Sequence, residues 1–171
     1  MTATRVGAGA AIGADGRELV IKRTFDAPRE LVWRAWTECD LLKRWWGPKN
    51  FTTPYCKIDL RIGGKYLCCM RSADGKDYWG TGVYREIARP GRLVCTDCFA
   101  DKDGNAVSAA QYGMTGDWPD ELLITVTLEA EGNKTKMTLR HAGLPPGENT
   151  EMAGTGWNES FDKMAEALKS I

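Results

Sequence analysis

A chain of 171 residues is the size of one ordinary domain, long enough to bury roughly two-thirds of its unfolded surface behind a single core. Its 23 basic and 23 acidic side chains cancel. There is thus no net field to recruit a phosphate backbone or an anionic bilayer, and nucleic acid is set aside as a partner. No run of about 18 or more apolar residues occurs, which excludes a membrane-spanning helix.

The opening MTATRVGAGAAIGADG has one early arginine and small apolar residues interrupted by glycines, which is no signal-peptide core. Residues 1–16 are expected to form a flexible tail, and the protein to be cytoplasmic. RELVIKRTF, residues 17–25, reads as a first strand ended by DAP. Pro28 suits the first turn of a short helix over PRELVWRAW, with Asp26 and Glu30 where the helix dipole favours acids. Thr37 and Asp40 have capping-box spacing and predict a second short helix, ECDLLKRWW, stopped by Gly47 and Pro48. In that helix Trp45 follows Leu41 by four residues and Leu42 by three, continuing the buried stripe. Trp46 is turned about 100° away.

Strand-like runs follow around YCKIDL, GGKYLCCMR, DYWGTGVYREI and RLVCTDCF, joined as antiparallel hairpins by Asp74-Gly75 and Pro90-Gly91. After a loop, ELLITVTLEA and KTKMTLRH alternate in period two. Leu122, Ile124, Val126 and Leu128 share one face, as do Met137, Leu139 and His141. From about Thr150 to Ser170, Ala153, Trp157, Phe161, Met164 and Leu168 make one apolar stripe on a helix of roughly 30 Å. The expected class is α+β: strand, two short helices, six strands, and a long helix that buries its stripe on the sheet.

In a reducing compartment the six cysteines should be free thiols. Cys95 and Cys98, three apart in a strand, point to opposite faces, and the adjacent Cys68 and Cys69 do likewise, so neither pair is set to hold a metal. No nucleophile elbow, HExxH or phosphate-cradling glycine loop occurs, so no catalytic residue, metal or cofactor is assigned.

The strings RTFDAPRELVWRAWT, WWGP, IDLRIGGKY, the GxYxEI of Gly82 to Ile87, YGMTGDWP, TLRHAGLP and GWNESFDKMAEAL resemble the START-like (SRPBCC, Bet v-like) helix-grip superfamily. The similar branch is the C-terminal domain of the activator of the heat-shock protein 90 ATPase. The resemblance covers nearly everything from residue 17 to 171. It implies a helix-grip fold in which a curved antiparallel sheet wraps around the long C-terminal helix, leaves a hydrophobic cavity, and is closed at one end by the two short helices.

That resemblance organises the candidate ligand-binding residues. Trp46 would lie near the cavity end while Trp45 is core, or both belong to core and rim. If Tyr66, Cys68 and Met70 share the concave face, they look into the cavity. Cys68, Cys95 and Cys98 stand where the family often has larger residues and would enlarge the pocket, unless Trp79 or Trp157 refills it. The loop from Ala100 to Asp120 carries Tyr112, Met114 and Trp118, which fold over the mouth as a lid or cover the outside of the sheet. His141, the sole histidine, is either a hydrogen-bonded core residue or a polar anchor for a ligand, with Asp97 and Arg71 as further anchors. Phe161 joins the set from the helix. Gly154 and Gly156, each costing roughly 1 kcal/mol in a helix, imply a close approach to the sheet or room for a ligand.

The leading functional expectation is binding of a small hydrophobic or aromatic molecule. Alternatives implied by the resemblance are a cyclase or hydrolase acting on polyketide-like compounds, and a module that contacts a chaperone and stimulates its ATPase. The chaperone activators carry an additional N-terminal domain where only a short tail stands here, which ranks that alternative last. A monomer or a homodimer is expected.

Overall fold

The period-two runs become one eight-stranded antiparallel sheet in the computed structural model, which describes residues 9–171. Its strands are β1 (Ala10–Ile12), β2 (Glu18–Phe25), β3 (Thr52–Ile58), β4 (Lys65–Arg71), β5 (Asp77–Ala88), β6 (Arg92–Ala100), β7 (Leu122–Glu131) and β8 (Lys134–Ala142). Their spatial order is β1-β2-β8-β7-β6-β5-β4-β3. The chain therefore leaves β2 at one side and re-enters as β3 at the far edge. Helices α1 (Arg29–Thr37) and α2 (Cys39–Leu42) make that passage, and the long helix α3 (Glu148–Leu168) follows β8. The architecture is the expected helix-grip fold.

One face of the sheet is apolar because the sequence alternates. Leu122, Ile124, Val126 and Leu128 on β7 are buried, as are Met137, Leu139 and His141 on β8. They share a single core with Phe161, Met164 and Leu168 of α3 and with Val32, Trp33 and Trp36 of α1.

The adjacent tryptophans of WWGP take different places. Trp45 is fully buried and its indole N–H donates to the Ala35 carbonyl at 2.9 Å, whereas Trp46 is half-buried. Gly47 makes the turn after them at a φ of 102°, where a side chain would press on Phe51 and Met70. The Pro48 and Phe51 carbonyls of this turn both accept from the Lys163 ammonium on α3, at 3.2 and 3.1 Å. Burial pushes the Lys163 pKa down, against the opposing pull of Glu159. Gly156 faces the same turn, since a Cβ there would sit 3.5 Å from Pro48. That is an ordinary contact distance, so close approach does not by itself require glycine at this helical position.

Several expectations are corrected. Residues 10–12 are not tail: β1 pairs with β2 from Ala10↔Ile21 to Ile12↔Leu19, while residues 1–8 lie outside the described residues. Thr37 does not cap α2. It ends α1 and its hydroxyl donates back to the Trp33 carbonyl at 2.8 Å, leaving the extended Glu38 at the cap position. The second helix is correspondingly short, ending at Leu42.

The six cysteines are not all free. Cys39 on α2 and Cys56 on β3 form a disulfide, their Cα atoms 5.6 Å apart. The bridge fastens the short helix to the edge of the sheet across a sequence separation of 17, a loop whose closure stabilises the fold by about 3 kcal/mol in the chain-entropy treatment. Cys68, Cys69, Cys95 and Cys98 remain as thiols.

Two outcomes follow from this arrangement. Titration of the protein in denaturant should find four thiols before reduction and six after; six before reduction would show that the bridge does not form. Replacing Trp45 by Ala should lower unfolding stability by about 3–5 kcal/mol, and Trp46→Ala by only about 1 kcal/mol. Equal losses in denaturant melts would contradict the core and rim assignment.

Candidate functional site

Between the concave face of the sheet and helices α1 and α2 lies a narrow cavity of about 20 Å³, room for about one water molecule. Trp36, Leu42 and Trp46 wall it from the helical side, and Ile58, Tyr66, Cys68, Tyr84, Leu93, Cys95, Ile124 and Val126 from five strands. No charged side chain is among them. Burial pushes the Cys68 thiol up to about 12, with Asp97 and Cys69 adding to it. Burial likewise raises Cys95, Tyr66 and Tyr84. Every titratable group in the wall is therefore neutral at ordinary pH.

Aromatic rings form the helical side. Trp36 meets Trp45, Trp46, Trp157 and Phe161 at centroid distances of 4.7, 6.3, 6.0 and 6.1 Å. Trp157 stacks on Phe161 at 5.4 Å and meets the Trp46 edge at 5.4 Å. Phe161 is fully buried core, and Trp46 and Trp157 are half-buried.

A chain of hydrogen bonds runs beside this cavity. The Trp157 indole N–H donates to His141 Nδ1 at 3.0 Å. Because indole only donates, the imidazole hydrogen sits on Nε2 and points to Asp97 Oδ2, also at 3.0 Å. Asp97 Oδ1 accepts from the Tyr66 hydroxyl at 3.3 Å, and the Thr96 carbonyl accepts from the same hydroxyl at 3.1 Å. Gly82 makes this possible: a Cβ there would lie 2.6 Å from the Tyr66 ring and 1.9 Å from the Thr96 oxygen. His141 is thus a buried, fully bonded residue, and Asp97 is the partner that fixes it.

Of the residues singled out from sequence, Trp46, Tyr66 and Cys68 line the cavity, and His141 and Trp157 adjoin it through Asp97 and the aromatic cluster. Met70 shares the concave face farther along β4, beside Gly47. Trp79 does not look inward. It pairs in register with Cys69 and Ala100 and meets Tyr55 at 5.4 Å, so it belongs to the outer face. Cys98, opposite Thr81, is also outside the cavity wall, in contrast to Cys95. Arg71 is exposed and paired with Asp77 at 2.7 Å, which excludes it as an anchor.

The long loop folds at its centre into a short 3-10 turn, Ala109–Tyr112. Tyr112 meets Tyr78 and Phe99 at 5.6 and 5.7 Å, and Trp118 meets Phe99 at 5.3 Å. Phe99 registers with Gly80, and Gly80 with Cys68, so these rings cover the open end of the concave face. Met114 is half-buried in the same loop. Trp36, Tyr84 and Ile124 were not anticipated as wall residues. The i, i+3 spacing of Trp33 and Trp36 in RELVWRAW was the available signal for Trp36, but spacing alone does not separate wall from core.

Trp157→Phe keeps the ring and removes its N–H, leaving His141 Nδ1 unpaired. It should cost about 1–3 kcal/mol in denaturant unfolding. An unchanged midpoint would mean that this bond contributes nothing.

The comparisons with known proteins agree with this architecture. Among curated proteins none matches the sequence. The chain superposes on a solved protein of Nitrosomonas europaea at 27% identity and a TM-score of 0.74, covering 92% of this chain and 97% of that one. A protein of Arthrobacter aurescens is similar at 26% identity and a TM-score of 0.80, over 96% and 92% of the two chains. CalU16 from Micromonospora echinospora, at 22% identity, a TM-score of 0.61 and coverage of 95% and 83%, shares the fold. No helix among the described residues is long and apolar enough to cross a membrane. A family model described as "Activator of Hsp90 ATPase homolog 1-like protein" matches residues 26–169, and the chain belongs to that family.

Proposed function

We propose that the protein binds a small hydrophobic or aromatic molecule in the cavity between the sheet and the α1–α2–WWGP passage. The observation that carries this reading is a continuous wall of apolar and neutral groups contributed by five strands, α1, α2 and the WWGP segment. At about 20 Å³ the cavity is too small for such a molecule, so uptake requires a ring to move. Trp46 is the ring placed to do so: it is half-buried at the rim, while its neighbour Trp45 is held by the Ala35 carbonyl. The aromatic loop around Tyr112 and Trp118 serves as the lid over the open end.

Binding is favoured over turnover by the state of the polar groups. Both His141 nitrogens are engaged, the Tyr66 hydroxyl is engaged, and burial keeps the Cys68 and Cys95 thiols protonated and unreactive. The chaperone contact named in the family description has no such specific support in the site.

A thermal-shift series with neutral apolar and aromatic compounds tests this. A ligand at about a hundred times its Kd should stabilise the fold by about 2.7 kcal/mol, raising the melting point by roughly 5–10 °C for a chain of this size, with quenching of tryptophan emission. A varied series in which no compound moves either signal would contradict the reading.

A further inference from the structure

Trp36 is 5% exposed, forms part of the cavity wall, and its indole nitrogen is the one buried side-chain polar atom without a hydrogen-bond partner among the described residues. Indole N–H is only a donor, and its ring neighbours Trp45, Trp46, Trp157 and Phe161 offer no stronger acceptor than a π face. A buried donor left unpaired is costly, and such groups recur where a ligand or water completes the site. Across the same cavity stands Tyr84, 3% exposed, whose hydroxyl burial keeps protonated. The wall contains no Lys, Arg or His to offset a buried anion, and no Asp or Glu to hold a cation.

Resting on the cavity-binding reading above, we propose that the ligand is a neutral carbonyl compound, an aryl or alkyl ketone or an equivalent acceptor, whose oxygen accepts the Trp36 indole N–H. The chemistry selects this class from the alternatives. A plain hydrocarbon leaves the indole unpaired. A carboxylate places an uncompensated charge among neutral groups, and an ammonium sets donors against a donor. The cavity, about 20 Å³, already has the size of a single oxygen-centred group; the apolar remainder of the ligand takes the space opened by Trp46.

The test compares three probes of similar shape on the full chain: diphenylmethane, benzophenone and 4-benzoylbenzoate. Affinities come from calorimetry, and the indole N–H resonances from nitrogen-15 labelled protein. Benzophenone should bind about tenfold tighter than diphenylmethane, the loss expected when a site built to bond an oxygen meets an analogue without one. The carboxylate should bind more weakly than the ketone, and the Trp36 indole proton should shift with the ketone alone. In Trp36→Phe the ratio of ketone to hydrocarbon affinity should fall to about one. Equal affinities for ketone and hydrocarbon in the unsubstituted protein overturn the proposal while leaving cavity binding intact, and this comparison stands even if the variant does not fold. A preference that survives in a folded Trp36→Phe protein also overturns it. If neither probe binds, the cavity reading fails with it.

Discussion

The fold depends on burying one face of α3. A 21-residue helix with a single aromatic and aliphatic stripe is not stable alone in water, and the sheet's apolar face has the same need. Each satisfies the other, but a sheet that curves around a helix cannot be filled evenly from the helix alone. Trp36, Trp45 and Trp46 come from the α1–α2 passage to close the remaining gap, with Phe161 touching Trp36, Trp45 and Trp157. The helix is then held in position by the Lys163 bonds to the turn after the tryptophans and by the Arg23–Asp162 pair at 2.6 Å on the other side. The cavity is what is left where large rings meet cysteines and a β-strand wall.

That origin explains its chemistry. Strand positions facing a core must be apolar or bonded, so polar residues that enter do so in pairs: Tyr66 with Asp97, Asp97 with His141, His141 with Trp157. Trp36 stands apart as a core ring whose polar atom was never matched. A network that is complete in the protein holds the scaffold still, whereas an unmatched donor in the wall is the feature a ligand can read. The two belong to one cavity region but to different tasks.

Much of the fold was legible because it is periodic. The strict alternation in β7 and β8 and the three- and four-residue steps in α3 each specify which side is buried. What escaped was non-local or competitive. β1 is only three residues, two of them alanines, and it is held as a strand by its pairing with β2. Thr37 has cap chemistry but spends it one turn back. The Cys39–Cys56 bridge joins elements whose adjacency no spacing reveals. In the site, Trp46, Tyr66 and Cys68 followed from face arguments, while Trp79 failed because the β4–β5–β6 register puts it with Cys69 and Ala100. The bulge between Tyr84 and Glu86 puts its extra residue in β5, while β6 pairs with β7 without a break from Arg92 to Asp97, so Asp97 shares its face with Leu93 and Cys95.

The central claim is that this interior space is where a small molecule resides. Native mass spectrometry of the protein with neutral aromatic compounds, set beside a Cys95→Leu form that fills the wall, tests it most directly. One-to-one adducts that form with the unsubstituted chain and vanish in the filled form are the predicted result. Adducts of equal abundance in both forms would place the ligand elsewhere and contradict the account.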